Sequence, residues 1–533
     1  MTSRRLGLGV GAALLMLAGA CNSNEITKAN DNPNNPTDAP SDALFTNAAR
    51  NGVGRWLDGV NGVRYSFLAQ HFAEVQYPES DQYVRLRASS TSLTLFNQPY
   101  NTELQDLELV SQRGNAASQP GLAAPAQILK LWEFGVITDI YGDVPYSQAF
   151  KAESLVLSPK YDPQLDIYMD MFAKLTAASS SLGSATNILG SGDPIYAGAP
   201  ASWRKFANSL RARHALRLIN VNPTLANTQL TAALADAGGL ILTNADNARL
   251  AWPGDGVYDA PWATNFKGRD DLRISTRLLT YLRDFSDPRL PVYAQPAETV
   301  LPEIAGRTLN YCPGGAGTSP CYVGLANALT QAITSPLVPA TSRPGAIFYP
   351  GVTAYGTFGG SGGSFPSFLM TAAEMEFIRA EAAERGIGGL TAGQAAGFYN
   401  AGITRSMEMW GISAANTATY LATPGVAYTG AASSVDRQKL IAIQKWLALY
   451  IDPIQAWSEF RRTCQPAILK PGPNALTAEI PRRLYYSTNE TAVNSASVAE
   501  AVARQGADNF LTHIYWDKSP TAAPTYQAGC GVR

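Results

Sequence analysis

One stretch restricts the fold more than any other: AAPAQILKLWEFGVITDIYGDVPY, residues 123–146. Ile128, Leu131, Trp132 and Val136 recur at helical spacing, and the other faces are apolar enough for the helix to be largely buried. A helix of this kind belongs inside a large core, and 533 residues are enough to build one. The run stops abruptly. Gly142 ends the helix, Pro145 pushes Val144 to an extended conformation, and Asp143 is placed to bond backbone groups of the turn. Asp139 and Asp143, with two tyrosines beside them, have the look of a carboxylate site. Because the helix ends between them they cannot share one face, and they read instead as braces of one corner of a helical scaffold.

Most of the remaining chain is also helical by its periodicity. SWRKFANSLRARHALRLIN (202–220) sets Phe206, Leu210, Leu216 and Ile219 along one side, with the basic residues elsewhere and Ser202 as N-cap. FLMTAAEMEFIRAEAAERG (368–386) aligns Met370, Ala373, Phe377 and Ala380, carries a Glu381–Arg385 pair and ends at Gly386. A second helix from near Gln394 to about Trp410 completes a hairpin with it. In QKLIAIQKWLALYIDPIQAWSEFRR (438–462), Ile443, Trp446, Leu447 and Tyr450 share a face until Pro453 interrupts. Two regions break the pattern: about 240–365, rich in Pro, Gly, Asn and aromatic residues, and the tail after Pro466. A long irregular insertion on a helical scaffold is where binding function tends to sit.

Patterns that resemble catalytic motifs fail on context. GGSGG at Gly359–Gly363 satisfies the spacing of a nucleophile elbow but lacks the strand and helix that the elbow requires. Ser202 and Lys205 satisfy S-x-x-K without its companion motifs. Glu374 and Glu381 lie two turns apart on one helix, about 10 Å along the axis, whereas a glycosidase pair faces one cleft at about 5–9 Å. Helix-packing and capping roles fit them better. The three histidines, His71, His214 and His513, are far apart, no CxxC occurs, and no metal or cofactor is expected. Net charge is −1 and only 16% of residues are charged, with no basic run that would suit nucleic acid.

The N-terminal segment MTSRRLGLGVGAALLMLAGAC has basic residues, then an apolar stretch too short to span a bilayer, then small residues before Cys21. This is the form of a lipoprotein signal over residues 1–20, with Cys21 as the lipidated residue. Residues 21–41, polar and rich in Asn and Pro, form a tether, and 42–533 are expected to form one domain. Cys312, Cys321, Cys464 and Cys530 are even in number, as exported proteins favour. Cys312 with Cys321 and Cys464 with Cys530 is the simplest pairing, but three pairings remain open.

ILKLWEFGVITDIYGDVPYSQAF, SWRKFANSLRARHALRL, DPRLPVY, FPSFLMTAAEMEFIRAEAAERG, IAIQKWLALYIDPIQAWSEFRRT and IPRRLYYSTNETAVN occur in this order. Together they resemble the SusD/RagB family of outer-membrane lipoproteins, over roughly residue 30 to the C-terminus. The resemblance implies a mostly α fold, a tetratricopeptide-like helix-hairpin scaffold whose long irregular loops form the ligand face. It also implies a lipid-anchored protein facing the exterior of a Bacteroidota-like cell, closing as a lid over a SusC-like TonB-dependent transporter. Such proteins deliver an oligosaccharide, sometimes a peptide, and are not enzymes.

The family supplies no fixed ligand residues, so candidates come from composition alone. Trp252, Tyr258, Trp262 and Phe266, with Asn265 and Asp259 as hydroxyl partners, are the first set, and Tyr77 and Tyr83 the second. Flat amphipathic rings suit sugar faces, although each also suits plugging a loop onto the scaffold. A peptide-binding lid, a surface glycoside hydrolase and a helical scaffold for other surface proteins are the competing readings.

Overall fold

The computed structural model describes residues 39–517, apart from 58, 267, 301–303, 305, 316–317 and 350–361. Cys21, Cys530, most of the tether and the centre of the GGSGG pattern therefore lie outside the described residues. Helices α1 (Ser41–Leu57), α2 (Gly59–Leu68), α3 (Glu103–Ala116), α4 (Pro120–Tyr141), α5 (Gln164–Ser181), α6 (Pro200–Arg217) and α7 (Pro223–Leu234) form the first half. After the irregular stretch, which holds α8 (Pro261–Phe266) and α9 (Thr276–Asp284), come α10 (Ala372–Glu384), α11 (Ala392–Met409), α12 (Ser434–Ala448) and α13 (Pro453–Thr463). Two short helices close the chain, α14 (Thr488–Val493) and α15 (Ser495–Gln505).

Sequence neighbours pack as hairpins: α3 on α4, α5 on α6, α6 on α7, α10 on α11 and α12 on α13. Helix α4 is the axis. All of its residues except Pro120 and Gln127 are buried, as its all-round apolar character demands. It touches α3, α5 and α6, and α6 carries the contact on to α10. Gly135 permits the approach of α6: a Cβ there would stand 2.6 Å from the His214 ring.

The basic residues of α6 do not stay outside the apolar side. Arg213 and Arg217 are buried because carboxylates of neighbouring helices reach them. Arg213 forms a two-pronged pair with Glu374 of α10 at 2.5 and 2.7 Å. Arg217 donates to Asp139 of α4 and, at 2.6 Å, to Gln455 of α13. Arg462 binds Glu381 and Glu459, and Lys445 of α12 adds a contact to Glu459 at 3.2 Å. One buried network of charge thus ties α4, α6, α10, α12 and α13. Losing either partner of such a pair strands a charge in low dielectric.

Three local expectations change. Helix α6 starts at Pro200 with Ala199 at the cap position, so Ser202 lies inside the first turn and is not the N-cap; proline's fixed φ and missing N–H suit that first position. Met370 belongs to a strand, Ser367–Met370, paired antiparallel with Ala248–Leu250, and Thr371 caps α10 by accepting from the Glu374 N–H at 3.2 Å. Asp143 reaches beyond its own turn, accepting from the Gln164 N–H at 3.0 Å and from Arg504 at 2.9 Å. At the same corner Gly142 has φ +85°, and a Cβ would meet the Gln505 side chain at 2.2 Å.

The described strands form four two-stranded antiparallel ribbons. Thr308–Tyr311 pairs with Tyr322–Leu325, and the Cys312–Cys321 disulfide closes the loop between them. Phe72–Glu74 pairs with Leu272–Ile274 and joins the end of α2 to the irregular region.

Candidate functional site

The eight candidate side chains separate by exposure. Trp252, Trp262, Phe266 and Tyr83 are buried and offer almost no ring face to solvent. Trp252 lies against Gly54 of α1 and donates to the Ser367 hydroxyl at 2.6 Å. Trp262 and Phe266, on successive turns of α8, stack on each other at 5.9 Å, and Phe266 stacks on Tyr349 at 4.4 Å. Trp262 also meets Phe72 edge-on. These rings fasten the irregular region to the helical frame, each filling space that a loop alone leaves open.

Tyr258 and Asp259 belong to a separate exposed loop. Tyr258 is 48% exposed, with the Arg50 guanidinium 4.4 Å from its ring centre. Asp259 accepts from the Gly256 N–H at 2.8 Å, and Asp255 accepts from the Val257 and Tyr258 N–H groups. The carboxylates therefore brace the loop that presents Tyr258.

Tyr77 and Asn265 come together in a cleft between α2, the end of α8 and the segment after Phe72–Glu74. Arg64, Glu74, Arg85, Arg269 and Asp271 line it with them. Tyr77 is 40% exposed, and two guanidinia approach its ring, Arg85 at 5.1 Å and Arg269 at 5.0 Å from the ring centre. Such cation–π contacts fix the ring's orientation. Each guanidinium has a carboxylate of its own: Arg269 meets Asp271 at 2.6 Å and Arg85 meets Glu79 at 3.8 Å. Burial, with Asp81 and Asp271 adding to it, pushes the Glu74 carboxyl up to about 8, and burial pushes Asp81 up to about 7. The cleft therefore brings together a held aromatic ring, an amide and two carboxylate-paired arginines. Its volume is only about 70 Å³, far below an enclosing ligand pocket of roughly 300 Å³ or more. It is an open platform and not an enclosing pocket.

Arg85, Arg269 and Glu74 were not among the sequence candidates. The arginines carried a signal, since YVRLR and KGRDD stand beside Tyr83 and Asn265 in the chain. The buried Glu74 carried none.

The carboxylates that could have served a hydrolase are occupied. Glu374 is bound at both oxygens by Arg213. Against its burial, Arg462 and Arg385 hold Glu381 down to about 2, too low to keep a proton for general-acid work. Asp139 is buried and accepts from Tyr168, Arg217 and, at 2.7 Å, the Trp516 indole N–H. Among the described residues no group of three His, Cys, Asp or Glu is arranged to hold a metal ion.

A scaffold of helix hairpins bearing an irregular region and exposed, arginine-flanked tyrosines is of the tetratricopeptide-like class. Comparison gives the particular family. A SusD-like profile described as "Starch-binding associating with outer membrane" matches residues 33–487, and the chain belongs to that family. Among solved structures, a chitin-binding protein is 26% identical with a TM-score of 0.75, the match covering 90% of this chain and 100% of that one. A chitin-binding SusD homologue from Flavobacterium johnsoniae is 24% identical, with a TM-score of 0.73 and coverage of 90% and 99%. A SusD homologue from Bacteroides uniformis is also 24% identical, with a TM-score of 0.72 and the same coverage. No curated protein matches the chain by sequence. The family is associated with the outer membrane, and no described helix is long and apolar enough to cross a membrane.

Proposed function

We propose that this chain is a cell-surface nutrient-binding lipoprotein that captures an oligosaccharide and closes as a lid over a SusC-like TonB-dependent transporter. The observation that carries the ligand class is the Tyr77 cleft. A sugar's C–H face stacks on the exposed ring while Asn265 and the flanking guanidinia bond hydroxyls, an arrangement of modest affinity that favours release. The compensated arginines favour a neutral saccharide over an acidic one. Membership of a family described as starch-binding, and a structural relative that binds chitin, agree with this reading. Tyr258, on its braced loop, supplies a second exposed ring for a longer chain.

In this mechanism the lid alone holds the ligand weakly, and closure over the barrel adds contacts and excludes water. Lipidation at Cys21 and the tether of residues 21–41 let the domain of residues 42–533 swing without leaving the membrane. No catalytic residue is assigned.

The test is affinity electrophoresis of the purified chain through gels containing starch, soluble chitin derivatives and other glycans, alongside pull-down from outer membranes. Retardation by a glycan and co-purification of a transporter barrel are expected. Binding to peptides with no glycan retardation would replace the ligand class and keep the lid. Binding to neither, with no barrel recovered, would overturn the proposal.

A further inference from the structure

A larger cavity, sharing no lining residue with the Tyr77 cleft, lies where α3, the segment before it, the 145–159 loop and α14 meet. Its volume is about 490 Å³, within the usual range for small-ligand sites of roughly 300–1,000 Å³. We propose that it is a second saccharide-binding site. This extends the glycan reading above but stands on different residues.

Three features of the wall point the same way. First, the aromatic surfaces are held in place. Tyr100 donates its hydroxyl to the Pro145 carbonyl at 2.8 Å, and its half-buried ring lies 6.2 Å from that of Phe150. Phe150 is itself held in the left-handed region, φ +61°, a conformation uncommon for a bulky side chain and retained where the surroundings enforce it.

Second, a π-helical turn, Leu93–Asn97, delivers Asn97 to the wall; such turns are frequent at functional sites. Asn97 donates from Nδ2 to Glu490 Oε1 at 3.1 Å, while its buried Oδ1 has no protein partner. The other Glu490 oxygen accepts from the Tyr161 hydroxyl at 3.1 Å. Glu490 is thereby aligned by neutral donors and remains a strong acceptor for further O–H or N–H groups.

Third, the remaining polar lining is largely amide: Asn101, Gln105, Gln112 and Asn494. Glu108 is taken by Lys130, which leaves the wall without a free cation for an anionic ligand. The ligand that fits carries no negative charge, is rich in donors, and has flat C–H faces for the rings. A pyranose chain meets all three conditions.

The measurement is calorimetric titration of the full folded chain with triacetylchitotriose and maltotriose, using three variants. Tyr77→Ala silences the cleft. Asn101→Ala/Gln105→Ala removes cavity amides near the surface without touching the Asn97–Glu490 contact. The third combines all the substitutions. Two sites are expected on the wild type, one on each of the first two variants, and at least tenfold weaker residual binding on the third. A single wild-type site abolished by Tyr77→Ala would overturn the cavity site and leave the cleft reading intact. No saccharide binding by any form would overturn both. Residual binding in Tyr77→Ala that answers to a neutral peptide and not to either sugar, and is lost in the combined variant, would overturn the assigned ligand class.

Discussion

At the scale of single residues, Asp139 shows how a chemical-looking carboxylate becomes structural. Its oxygens are taken by Tyr168, Arg217 and Trp516. Asp139→Ala leaves Arg217 buried without its nearest anion, and denaturant unfolding should show a loss of about 3–5 kcal/mol. That Asp143 serves a corner was legible from Gly142 and Pro145, whereas Asp139, read as a brace of the same corner, instead ties α4 to α5 and α6. Their partners were not, because Arg217, Arg504 and Trp516 lie far along the chain. Glu74 has the opposite electrostatics. Its carboxyl is raised to about 8, so the folded chain keeps a proton that the unfolded chain releases near pH 4–5. The stability held by the neutral form is complete below that range and is lost as pH rises through about 8. Glu74→Gln, which stays neutral, should therefore gain on the wild type by about 4 kcal/mol between pH 5 and pH 9. Parallel unfolding curves across that range check it, and a constant difference would contradict the assignment.

At the scale of elements, the long helices were legible because period and length reinforce each other. Helices α4, α10, α11 and α12 lie within a few residues of where their apolar spacing puts them. The ribbons were not legible, since strands of two to four residues carry too little alternation to stand out. Helix α9 was also hidden inside the region read as irregular. Helix α6 was read correctly as a helix but not in its burial: periodicity counts arginine as polar and cannot foresee that Glu374 and Asp139 will neutralise it. The α4–α6 crossing depends on Gly135, whose missing Cβ makes room for His214. Gly135→Ala overpacks that contact and should cost about 1–3 kcal/mol, visible as a lowered thermal midpoint. An unchanged midpoint would mean that the two helices separate freely.

At the scale of the whole molecule, the buried charge network and the hairpins make a stiff frame, and the irregular region is pinned to it by Trp252, Trp262 and Phe266. The candidate site was only partly legible for the same reason. Aromatic content marks both anchors and binding surfaces, and only exposure separates Tyr77 and Tyr258 from the rings that became core. A frame of this kind is what the proposed lid role requires, a body that moves as one.

The central claim is that Tyr77 presents a sugar-binding platform on a protein that captures and does not cleave. Calorimetric titration of the purified chain with the glycan that retards it, beside Tyr77→Ala of matched thermal stability, tests this directly. The account predicts binding at the cleft weakened about tenfold by the substitution, an aromatic stacking contribution of about 1–1.5 kcal/mol, with the glycan recovered intact. Unchanged affinity in Tyr77→Ala, or release of shortened glycan by the wild type, would contradict it.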